Sequence, residues 1–150
     1  STSWVVSPAL TEGVWYWRVQ AKDNAGNAGA NSSYRSFRVD VTAPQSPSLV
    51  SPVDGTNMNI TGPTLSWNSV SENSLPVLYY VAVSDNSSFP YENRNSGWIS
   101  ATSWTVSPAL TEGLWYWRVK AMDNAGNVGA NSSSQSFRVD VTRSEARPLV

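Results

Sequence analysis

The side chains with most chemistry to offer are the acids and amides around Asp123 and the tryptophans beside them. Asp123, Asn124 and Asn127, with their counterparts Asp23, Asn24 and Asn27, carry oxygens of the kind that surround Ca²⁺. Each cluster holds a single carboxylate, whereas calcium sites gather several. Asp-Asn-Ala-Gly-Asn is also the composition of a hairpin turn that tolerates positive φ, and the cluster is read as that turn. Acid/base hydrolysis needs two carboxyl groups converging in a cleft. Glu92, Glu112, Asp123 and Asp140 are instead scattered over turns and strand ends. The chain has no Cys and no His, which removes thiol nucleophiles, disulfides, Ser-His-Asp triads and most zinc and haem sites. No catalytic group, cofactor or metal site is expected, and the chain is read as a non-enzyme.

The eight tryptophans are the other resource. Aromatics exposed side by side would make a sugar platform, while aromatics turned inward make a core. Strand parity decides between the two, as set out below. Low charge, 14% of residues with a net of −1, offers no electrostatic footprint for nucleic acid. No run of 18 apolar residues occurs, so no membrane insertion is expected. Sequons stand at Asn31, Asn59, Asn86 and Asn131. They are N-glycosylation acceptors if the protein is secreted, or ordinary Asn-Ser turn chemistry.

Short alternating runs separated by Gly, Pro, Asn and Ser, with no sustained helical period, predict an all-β chain. Strands are expected over 49–53, 64–68, 77–84, 93–99, 103–106, 114–123 and 134–141, with Pro52 holding the first at an edge. In the sixth, Trp115, Trp117, Val119 and Ala121 share one face; Tyr116, Arg118, Lys120 and Met122 share the other. The first set, with Trp67, Trp104 and Phe137, is the expected core. Phe89 is expected as an inward plug. Trp98, Tyr79 and Tyr80 remain as the exposed or half-exposed aromatics that a ligand or partner would contact.

The strongest signal is internal repetition. Residues 2–42 match 102–142 without a gap and differ at seven positions: Val5/Thr105, Val14/Leu114, Gln20/Lys120, Lys22/Met122, Ala28/Val128, Tyr34/Ser134 and Arg35/Gln135. Leu49-Val50 recurs as Leu149-Val150. The expected organisation is a second half-repeat over 1–42, a linker over 43–48, a complete domain over 49–141, and a linker or start of the next repeat over 142–150. One first half can cover only one second half. The other leaves Trp4, Trp15 and Trp17 as a face needing cover, which at ~25 cal/mol per Å² of apolar surface forfeits on the order of 10 kcal/mol. The expectation is that strands from outside this segment cover it.

Leu65-Ser66-Trp67, the Leu110-to-Gly113 corner, Trp115-Tyr-Trp-Arg-Val119, the Ala121-to-Asn127 turn and Ser136-Phe-Arg-Val139 together resemble the bacterial and archaeal fibronectin type III-like repeats. The resemblance covers roughly 46–141 in full and 1–41 as a second half. It implies a seven-stranded, two-sheet, Greek-key Ig-like sandwich of an extracellular or cell-surface protein. The corner aromatic of that family is usually Tyr, whereas Trp115 and Trp15 stand here, so the corner hydrogen bond needs a different partner. No Arg-Gly-Asp occupies the last hairpin, so integrin binding is not carried over.

The function expected is that of a structural repeat module: a stalk, surface-layer or filament element joined by repeat-repeat or strand-complementation contacts. Its partners would be copies of itself or adjacent repeats, with glycans as a further candidate. The rival readings are an adhesin or carbohydrate-binding module, and a spacer within a secreted hydrolase.

Overall fold

A computed structural model describes residues 1–145; the expected recurrence at Leu149-Val150 lies outside them. Every regular element is a β-strand. The chain divides into two compact units, Ser1–Thr42 and the part from Ala43 onward.

Among its described residues the larger unit contains eight strands: β3 (Leu49–Ser51), β4 (Thr56–Met58), β5 (Thr64–Trp67), β6 (Leu78–Ser84), β7 (Arg94–Ile99), β8 (Ser103–Thr105), β9 (Gly113–Met122) and β10 (Gln135–Val139). They form a three-stranded sheet, β3-β5-β8, and a five-stranded sheet, β4-β10-β9-β6-β7. The alternation along β9 shows why the sheets stack. Trp115, Trp117, Val119 and Ala121 are buried while the residues between them are only partly so. This face meets Leu65 and Trp67 of β5, Tyr79, Val81 and Val83 of β6, and Phe137 and Val139 of β10 in one core. Trp104 is half-buried and packs against its margin.

Three expectations are corrected. The strand expected over 49–53 is shorter, and a further strand that was not expected, β4, follows the Asp54-Gly55 turn. β3 ends at Ser51 and pairs antiparallel with β5, whereas β4 pairs parallel with β10 in the other sheet. Asp54-Gly55 makes the switch. Gly55 sits at φ +81°, its amide donates to the Ser136 carbonyl at 2.8 Å, and Asp54 Oδ1 accepts the Ser136 amide at 2.7 Å. An αL turn of this kind favours glycine. Tyr79, expected at the surface, is buried, because parity places it with Val81 and Val83. Its hydroxyl is satisfied by the Val70 amide at 3.1 Å. Phe89 is not an inward plug. Its ring lies 4.1 Å from the Arg118 guanidinium, and Arg118 belongs to the outer set of β9.

The residues read as a linker, 43–48, lie against the larger unit. Pro44 and Pro47 are buried, and Ser46 Oγ donates to the Ala130 carbonyl at 3.0 Å. A Cβ on Gly129 would fall 2.3 Å from the Pro44 carbonyl oxygen, so this approach depends on glycine.

The smaller unit has two strands, β1 (Gly13–Trp17) and β2 (Arg35–Val39), paired antiparallel. The register is that of β9 and β10 shifted by 100: Trp15 faces Phe37 as Trp115 faces Phe137.

Candidate functional site

Two surfaces gather the side chains that a partner or ligand would use. The first lies on the outer face of the five-stranded sheet. β6 and β7 place Tyr80 opposite Trp98, and β6 and β9 place Tyr80 opposite Lys120. The Tyr80 and Trp98 rings are 5.4 Å apart and tilted by 55°. The Lys120 ammonium stands 5.0 Å from the Tyr80 ring centre and 5.7 Å from that of Trp98, within reach of cation–π attraction. The Tyr80 hydroxyl donates to Glu92 Oε2 at 2.6 Å. Burial first, and then that acceptor, push the Tyr80 hydroxyl up to about 12, so it remains a donor at any physiological pH. Trp98 keeps 37% of its surface in solvent. The group presents an apolar ring edge flanked by an ammonium and a carboxylate.

The sequence reading named Tyr80 and Trp98 but missed Lys120 and Glu92. The signal for Lys120 was available. It has the outward parity on β9, and it is one of the seven positions at which the copies differ.

The second surface is the inner face of the smaller unit. Trp15 is half-buried and Trp17 is 50% exposed. Val19 is 57% and Phe37 40% exposed. Trp4, which corresponds to Trp104 of β8, lies in no strand and is 77% exposed. Toward the outer side of β1, Tyr16, Arg18 and Tyr34, with Trp17, line an open recess.

Both copies carry the same local fastenings. The corner bond runs from Trp115 Nε1 to the Thr111 carbonyl at 2.9 Å, and from Trp15 Nε1 to the Thr11 carbonyl at 2.9 Å. The indole thus donates to a backbone oxygen four residues back. Glu112 Oε1 accepts the Val141 amide at 2.7 Å and the Thr142 hydroxyl at 2.5 Å; Glu12 does the same for Val41 and Thr42 at 2.8 and 2.6 Å. The Thr142 hydroxyl, followed by the Val141 amide, holds the Glu112 carboxyl below its ordinary range. In the turn, Asp123 Oδ1 accepts the amides of Ala125 and Asn127 at 2.9 Å each, and Oδ2 accepts Asn127 Nδ2 at 2.8 Å. The residues first weighed as cation ligands thus spend both carboxylate oxygens in closing the hairpin. The equivalent bonds from Asn27 hold Asp23 below the usual carboxylate range.

All four sequon asparagines are exposed. Asn86 Oδ1 already accepts the amide and hydroxyl of Ser88, at 3.0 and 2.8 Å.

No protein-family model and no curated protein matches the chain. Solved structures do. The extracellular region of rat CD45, domains d3-d4, is similar with a TM-score of 0.53 at 14% identity, over 91% of this chain and 70% of that one. An α-L-rhamnosidase from Dictyoglumus thermophilum is similar with a TM-score of 0.52 at 15% identity, over 65% of this chain. The match takes in only 12% of the rhamnosidase. The fibronectin type-III domain of human fibronectin type III domain containing protein 3 matches at 18% identity over 72% of this chain and 98% of its own, with a TM-score of 0.44. The two-sheet topology and the likeness to the CD45 domains give the larger unit a fibronectin type III-like β-sandwich fold.

Proposed function

We propose that the chain is a structural module of a long extracellular repeat protein, serving as a stalk, surface-layer or filament element. The observation that carries this reading is the 100-residue repetition expressed register for register in β1–β2 and β9–β10. Chains of near-identical sandwiches derive their stability from each unit plus its neighbour interfaces. The packed segment 43–48 favours a stiff approach to each repeat, because Pro44 and Ser46 are held against the 129–131 backbone. The exposed sequons and the likeness to the CD45 extracellular region support an extracellular setting.

Concatemers of one, two and three complete repeats would test this by small-angle scattering. The expected result is a maximum dimension that grows by a constant increment per repeat. A compact particle whose length does not scale with repeat number would defeat the reading.

One observation favours a second reading. Trp98, Tyr80, Lys120 and Glu92 make a partly exposed group that suits the face and hydroxyls of a sugar. Under this reading the chain is an adhesin or carbohydrate-binding module. Glycan-array binding that Trp98→Ala abolishes would select it; a silent array would reject it.

A further inference from the structure

The smaller unit has an open sheet edge and an open face, and the larger unit shows what sequence fits both. We infer that the inner face of β1–β2 is the docking surface for a polypeptide segment with the strand pattern of residues 49–100, the first half of this repeat. The inference rests on the structural-module reading and specifies the partner and its register.

Three observations fix the occupant. The first is the free edge. β9 pairs with β10 on one side and with β6 on the other. Val119 exchanges bonds with Ser132, and the Ala121 carbonyl accepts from Gly129. Since main-chain groups alternate sides along a strand, Tyr116, Arg118, Lys120 and Met122 direct theirs toward β6. Val19 bonds to Ser32 and Ala21 to Gly29 in the same way. Tyr16, Arg18, Gln20 and Lys22 therefore present an edge that no strand pairs among the described residues. A β6-type strand would add antiparallel, with its Val83, Val81 and Tyr79 positions opposite Trp17, Val19 and Ala21. That is the β6–β9 register shifted by 100.

The second is the face. Trp117, Val119 and Phe137 are fully buried in the larger unit, in one core with Tyr79, Val81 and Val83 of the same sheet and Leu65 and Trp67 of the other. The same residue types at 17, 19 and 37 are 40–57% exposed. A contiguous apolar face of this kind marks an interaction site.

The third is the recess beside Arg18. In the larger unit Phe89 occupies the guanidinium of Arg118. In the smaller unit Arg18 instead lines an open recess with Tyr16, Trp17 and Tyr34, on the side where the Phe89 position of the incoming segment would lie. Edge pairing, apolar cover and an aromatic peg thus call for one segment, in one register.

Hydrogen exchange on the 150-residue chain tests this in two ways. In one arm, a fragment spanning 43–100 is added in trans; in the other, a second copy of 43–100 is fused ahead of Ser1. Amides of Arg18 and Gln20 are expected to gain protection of about tenfold or more, as ladder formation requires, while those of Arg118 and Lys120 stay as they were. Val81→Asp with Val83→Asp in the added copy should remove the effect. If the fused chain leaves Arg18 and Gln20 exchanging as in the starting chain, the inference is overturned. It is equally overturned if these amides are protected without any added segment, since another surface then covers the edge. Neither result touches the scattering test of complete repeats, so the two failures can be told apart.

Discussion

Residues 2–42 and 102–142 are nearly the same sequence in two environments. They share the hairpin register, the indole corner bond, the Glu clasp and the Asp-Asn turn. They differ in strand extent and in burial. β9 runs ten residues where β1 runs five. The second half of β9 is a strand because β6 pairs with it, and β8 is a strand because β5 does. Residues 3–5 repeat the β8 position but have no such partner and form no strand. Turns and hairpin register are therefore set locally, whereas strand length and burial are set by the neighbour.

The comparison can be broken most forcefully at its tryptophans. Trp117→Ala opens a cavity in a closed core and should cost ~3–5 kcal/mol in the unfolding of the larger unit. Trp17→Ala, at a half-exposed position, should cost under ~1 kcal/mol. Urea titration of both variants checks this, and equal losses would mean that the two halves are equally packed. The next largest effect is expected at glycine. Gly129→Ala would drive a Cβ into the Pro44 carbonyl, 2.3 Å away, at roughly 1–3 kcal/mol. Gly29→Ala meets the Ala21 carbonyl at an ordinary 3.7 Å and should leave the thermal midpoint nearly unchanged.

The smallest effect is electrostatic. Glu112 is held below its ordinary range by Thr142 and Val141. A folded-state value below the unfolded one gives stability that is present above the unfolded pKa and lost as pH falls through the folded one. Glu112→Gln should therefore flatten the acid limb of the stability profile by lowering the neutral-pH plateau slightly, the two proteins converging at low pH. A variant with an unaltered acid limb would show the clasp to be idle.

The core was largely legible because period-two alternation is a geometric property of strands. It placed Trp67, Trp115, Trp117, Val119 and Phe137 on one side. It also placed Tyr79 there, and reading Tyr79 with Tyr80 as surface aromatics set adjacency above parity. β4 was not legible: Thr-Asn-Met is three residues of weak alternation, and its pairing with β10 is long-range and parallel. Phe89 was misdirected because a lone aromatic in a polar loop carries no parity, and its position is decided by Arg118 on another strand. The aromatic group at Trp98 was half legible, since Glu92 and Lys120 reach it only through the pairing of β6 with β7 and β9.

The Glu112 clasp has a mechanical consequence. Its carboxylate ties the corner before β9 to the chain just beyond β10. Tension applied to the chain after Thr142 meets the clasp before it meets the β10 ladder. The pull is then shared with the start of β9, and the first bonds to yield are two to one side chain. Acidification would remove this latch and leave β10 to be peeled from its end.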